Sequence, residues 1–121
     1  MRVLVVDDSA PVRKRLRALL DELGAVEVSE AADAHEALAF LDSTQVDAVL
    51  LDMHMGPYDG LKLIGDVKQR ARTAIVAVLT NDASEAHRHE CLLRGADFFF
   101  DKSRQFELAA EVVVRFRPTR A

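Results

Sequence analysis

Short apolar runs and longer amphipathic stretches alternate along the chain. Runs rich in Val, Leu, Ile or Phe occur at residues 3–6, 25–28, 46–51, 74–79 and 98–100. Those at 3–6, 49–51 and 74–79 are continuous rather than alternating, the pattern of parallel strands covered on both faces. Glu27 interrupts the run at 25–28, which suits a less buried strand. Between the runs the spacing turns helical. Val12, Leu16, Leu19, Leu20 and Leu23 form a stripe, with Pro11 in its first turn and Gly24 as its stop. Asp33 and Glu36 make an acid-led capping box that opens a second helix burying Ala37, Leu38 and Leu41. A third helix follows Gly60, with Leu61, Ile64 and Val67 on one side. A fourth covers about 84–94 and ends at Gly95. A fifth carries Phe106, Ala109, Val113 and Phe116 until Pro118 stops it, and residues 116–121 read as a frayed tail. Five strands alternating with five helices predict an α/β fold: a (βα)5, doubly wound, five-stranded parallel sheet with right-handed crossovers.

Composition narrows the functional classes. The chain has 121 residues, one domain's worth, with no room for a second sizeable domain. Its 20 acids and 16 bases leave a charge of −4, which argues against a basic face gripping nucleic-acid phosphates. The lone Cys91 excludes an intrachain disulfide, fits a reducing compartment and reads as a semi-buried helix residue. The N-terminal apolar run is too short for a signal peptide or a membrane span, so a soluble cytoplasmic protein without membrane contact is expected.

Chemistry gathers where the strands end. Asp7 and Asp8 follow the first run, Asp52 the third, Thr80 the fourth and Lys102 the fifth. Singly, Asp and Thr are ordinary turn formers and caps at such places. Together they occupy the rim where doubly wound sheets bind ligands. Adjacent carboxylates repel each other, and a hard divalent cation, Mg²⁺ or Mn²⁺, relieves that cost. A cation, an ammonium and a hydroxyl suit the oxygens of a phosphoryl group, and a carboxylate suits the nucleophile. Other candidates carry less. His54 has no second His or Cys at helical spacing, and His87 and His89 do not share a helix face, so no transition-metal site is expected. The glycines of 56–60 lack the P-loop lysine spacing and read as a turn.

The run VLVVDDS, Asp52 with Asp59 and Gly60 after it, Val78-Leu-Thr80, and Gly95-Ala-Asp followed by Lys102 resemble the receiver domain of bacterial two-component response regulators. The resemblance covers essentially the whole chain. It implies the flavodoxin-like strand order 2-1-3-4-5 and a stand-alone phosphorelay receiver. Asp52 would accept a phosphoryl group from a histidine kinase or a histidine phosphotransfer protein. Mg²⁺ would be held by Asp7, Asp8, Asp52 and the backbone carbonyl of His54. Thr80 and Lys102 would bind the phosphoryl group, and Phe99 would be the switch aromatic. Phe98 and Phe100 beside it leave plain packing open as the other reading. The face of the fourth helix, fifth strand and fifth helix would carry the signal to a downstream protein, from a monomer or weak dimer. With no room for an attached output domain, that signal is expected to leave through a partner.

The chain departs from the family pattern in several places. Ser103 replaces the usual proline after Lys102, and a cis bond there would be costly. Gly56 precedes Pro57, which moves the loop proline one place and makes the loop more permissive. Asp101 stands where an apolar residue is usual and could compete for the charge of Lys102. Asn81 is larger than the usual small residue after the threonine and is expected to narrow attack on the phosphoryl group. Two other functions remain: a degenerate receiver acting as a constitutive binding module, and a Mg²⁺-dependent aspartyl-phosphate phosphohydrolase. The latter's models, the haloacid-dehalogenase-like phosphatases, want a second acid two residues after the nucleophile, where His54 stands.

Overall fold

A computed structural model describes residues 1–24 and 27–116. Strands and helices alternate: β1 (Arg2–Val6), α1 (Ala10–Glu22), β2 (Glu27–Ala31), α2 (Ala34–Ser43), β3 (Ala48–Asp52), α3 (Gly60–Arg70), β4 (Ile75–Thr80), α4 (Glu85–Leu93), β5 (Phe98–Asp101) and α5 (Phe106–Arg115). All four strand pairings are parallel, and the order is β2-β1-β3-β4-β5, as expected. The chain moves outward from β1 to the edge strand β2, then back across β1 to β3. That reversal opens a crevice past the carboxyl ends of β1 and β3.

Period-two alternation splits the core in two. Val3, Val5, Ala48, Leu50, Ala77, Leu79 and Phe100 pack against Leu16 and Leu20 of α1 and Phe106, Ala109 and Val113 of α5. Leu4, Val6, Val49, Leu51, Val76 and Val78 pack on the other face against α2, α3 and α4. With both faces covered, every residue of β3 is buried, which is why the strand is continuously apolar up to its final residue, Asp52. Ser9, Asp33, Asp59 and Ser84 cap the first four helices with side-chain oxygens. The box at α2 closes reciprocally: the Glu36 amide donates to Asp33, and the Ala32 amide to Glu36.

Several expectations shift. β2 begins at Glu27 and runs to Ala31, later than the apolar run at 25–28, and Ala25 and Val26 lie outside the described residues. It is an edge strand with exposed glutamates, so burial does not mark it in the sequence. In α2 Leu38 is half-buried, and in α3 Leu63 takes the buried place expected for Leu61. Cys91 is fully buried rather than semi-buried. Phe116 caps α5 and is 58% exposed, lying against Phe98 instead of joining the core. Pro118 and the rest of the expected frayed tail, 117–121, lie outside the described residues. Among the described residues, no helix is long and apolar enough to cross a membrane.

Candidate functional site

The register sets the site. Val6 pairs with Leu51, Asp52 with Leu79, and Thr80 with Asp101, so Asp52 and Thr80, at the ends of their strands, meet Asp7 and Lys102, one step past theirs, at one rim. Asp7 is buried. Its Oδ1 accepts from the Ser9 amide at 2.8 Å, and its Oδ2 faces the Lys102 ammonium at 2.8 Å. Asp8 is exposed beside it. Asp52 is buried, with Oδ1 accepting from the His54 amide at 3.2 Å and Oδ2 lying 3.5 Å from the Lys102 Nζ. Carboxylate oxygens of Asp7, Asp8 and Asp52 lie within 4.8 Å of one another. Three hard oxygen donors at that spacing fit a divalent cation such as Mg²⁺.

Electrostatics agree. Burial pushes Asp52 above the usual carboxyl range, the charges of Asp7 and Asp8 add to this, and the His54 amide and Lys102 oppose it. Burial pulls Lys102 down, but its bond to Asp7 and the charge of Asp52 outweigh that, so the ammonium is held charged. Thr80 is fully buried at the end of β4, and its hydroxyl oxygen accepts from the Asp82 amide at 3.1 Å. Its carbonyl accepts from the Lys102 amide at 2.9 Å, tying the two strand ends together. Asn81 follows it and is exposed.

Asp101 does not compete for Lys102, contrary to expectation. Its Oδ1 accepts from the Ser103 amide at 2.9 Å and the Ser103 hydroxyl at 2.7 Å. The Ser103 hydroxyl, then its amide, hold the Asp101 carboxyl below its usual range. Ser103 thus satisfies the acid that replaces the usual apolar residue, and the Lys102–Ser103 peptide is trans. Gly56 takes φ +62°, a conformation in which a side chain would strain the loop.

A model of the response regulator receiver domain matches residues 3–113. The chain belongs to that family. Response regulator MprA of Mycolicibacterium vanbaalenii is 36% identical over 117 residues, 97% of this chain and 49% of that protein. Protein-glutamate methylesterase/protein-glutamine glutaminase 3 of Rhodospirillum rubrum is 35% identical over 99 residues, 80% of this chain and 27% of that protein. The receiver therefore spans half or less of the length of these curated relatives. Among solved structures, the chemotaxis response regulator CheY4 of Vibrio cholerae superposes with a TM-score of 0.83 at 28% identity, over 94% of this chain and 96% of that one. Thermotoga maritima TrrA, in complex with Mg²⁺-BeF, gives 0.80 at 32% identity over 94% and 96%.

Two features of this receiver escaped the sequence. Arg13 reaches back from α1 to the Asp7 carbonyl at 2.6 Å while its Nε holds Glu30 at 3.0 Å, steadying the acidic loop from behind. His87 of α4 stands beside His54, ring centroids 6.2 Å apart. Helix spacing gives no sign of that pair, because it joins a loop to a helix 33 positions away.

Proposed function

We propose that the protein is a phosphoacceptor receiver, phosphorylated on Asp52 by a histidine kinase or a histidine phosphotransfer protein in the cytoplasm. The observation carrying this reading is the convergence of three carboxylates, one ammonium and one buried hydroxyl at the ends of four adjacent strands. An Asp52 oxygen attacks the phosphorus of a phosphoimidazole, the P–N bond breaks, and the imidazole leaves and takes up a proton. Lys102 favours the ionised acceptor and then pairs with a phosphoryl oxygen. Thr80 turns its hydroxyl to donate to another. Asp7, Asp8, Asp52 and the His54 carbonyl would hold Mg²⁺ or Mn²⁺, whose charge offsets that of the phosphoryl oxygens. Phe99 acts as the switch aromatic. The flanking α4–β5–α5 face, with Leu93 and Phe116 exposed at the helix ends, meets the downstream protein.

Intact mass after incubation with Mg²⁺ and acetyl phosphate tests the reading. One phosphoryl group is gained by the wild type and none by Asp52→Asn. No gain by the wild type supports a constitutive binding module instead, and rapid multiple turnover of a phosphomonoester supports a phosphohydrolase.

A further inference from the structure

A chain of contacts leaves Asp52 through its Oδ1. The His54 amide donates to Asp52 Oδ1. The His54 ring lies nearly parallel to that of His87, at 16°. The His87 ring meets Phe99 edge-on, with centroids 5.6 Å apart and planes at 75°. Phe99 packs towards the α4 side of the sheet, while Phe98 and Phe100 pack on the opposite face.

His87 is well anchored for this role. Its amide donates to the capping Ser84 hydroxyl at 3.3 Å. Its Nε2 lies 3.9 Å from the Cys91 sulfur. That thiol is pushed up to about 11 by burial and by the charges of Glu90 and Asp82, so it serves as an uncharged packing partner. A cavity of about 360 Å³ lined by His54, Tyr58, Leu61 and His87 opens beside the stack, leaving the rings room to move.

We propose that His87 is a positioning residue that couples the acceptor loop to Phe99, along a route parallel to that through Thr80. The inference rests on the acceptor reading of Asp52. Phosphorylation changes the oxygen that the His54 amide faces, which displaces the loop and its ring. His87 passes that displacement to the edge of Phe99 and so biases the position of the switch. The route is a coupling claim, because both the loop and α4 bias one two-state side chain.

The test replaces Phe99 with 4-fluorophenylalanine and follows its ¹⁹F resonance with Mg²⁺, before and after acetyl phosphate, with intact mass read on the same samples. In the wild type the resonance moves on phosphorylation. In His87→Ala the phosphorylation-driven shift between the two Phe99 states shrinks about two- to tenfold, the range spanned by one edge-to-face pair, at equal phosphoryl gain. His87→Phe, which keeps a ring edge, restores most of the response. Thr80→Ala combined with His87→Ala loses more than either alone, as two parallel routes require. Should His87→Ala not fold, exposed His54→Ala interrupts the same route and must show the same loss. A wild-type-sized response in the alanine variant, or no rescue by His87→Phe, overturns the route and leaves the acceptor reading intact. A phosphorylated wild type whose Phe99 signal stays still overturns it equally. A wild type that gains no mass overturns the acceptor reading and the route with it.

Discussion

Asp52 is held in the rim at a cost to stability. Burial first, and then the charges of Asp7 and Asp8, raise its folded pKa above the ordinary 3.8. Between 3.8 and that raised value the folded protein keeps a proton that the unfolded chain has released. Stability therefore falls as pH rises through this window and stays lower above it. Asp52→Asn removes the buried negative charge while Lys102 keeps Asp7 as its partner. At pH 7 without Mg²⁺ we expect the variant to melt about 2–5 °C higher, as about 1 kcal/mol does in a domain of this size. The gain shrinks as pH falls towards 3.8, and thermal denaturation followed by circular dichroism reads both trends. A gain that grows on acidification contradicts the account. If Asp52 is the acceptor as proposed, exposed Asn81, next in sequence to Thr80, would screen the approach to its phosphoryl group. Asn81→Ala should dephosphorylate faster, by about two- to tenfold if the screen is worth about 0.5–1.4 kcal/mol. Equal or slower decay of its phosphorylated form would refute the screening role.

At the scale of elements, α3 begins against the backbone of the loop that follows Asp52. A Cβ on Gly60 would lie 2.5 Å from the Met53 carbonyl oxygen and 2.8 Å from its Cε, so Gly60→Ala must push the loop that carries Asp52 and His54. Gly65, one turn on, meets nothing within 4 Å. Gly65→Ala should therefore stabilise by about 0.5–1 kcal/mol through the helix propensity of alanine, while Gly60→Ala destabilises by about 1–3 kcal/mol and slows phosphorylation. Urea denaturation compares the two, and Gly60→Ala as stable as Gly65→Ala would show that the loop yields freely. The same scale explains what was legible beforehand. Doubly covered β1, β3 and β4 announce themselves as continuous apolar runs, and the polar residue ending each run marks the rim. Edge strand β2 is half-exposed, and its periodicity is too weak to place it. Helix stripes identify a face but not its deepest residue, so Leu63 is missed and Phe116, which overhangs the end of α5, is taken for core. The pairing of Asp101 with Ser103 is not legible in the sequence, because it forms in a loop whose turn only the folded backbone defines. His87 becomes visible only when α4 is set against the β3–α3 loop.

For the whole molecule, the strand order turns four separate polar positions into one charged locus. The chain's charge is only −4, yet three carboxylates share one rim with a single ammonium between two of them. The local field is therefore far more negative than the total charge suggests, and it exists only in the folded chain, where β1 and β3 are neighbours. A divalent cation that relieves this repulsion binds the folded state and not the unfolded one, so it must raise stability by mass action. Mg²⁺ at about 100 times its dissociation constant contributes about 2.7 kcal/mol, which corresponds to a rise of about 8–14 °C in the melting midpoint. The rise should be much reduced in Asp8→Asn, whose exposed side chain has little part in packing, and absent when KCl replaces MgCl₂ at equal ionic strength. Binding should weaken as pH falls through the raised Asp52 value, because protonation removes a donor oxygen's charge. A midpoint that responds equally to KCl, or equally in wild type and Asp8→Asn, would mean that Mg²⁺ acts by general screening, and that the rim's carboxylates are not held together for a cation.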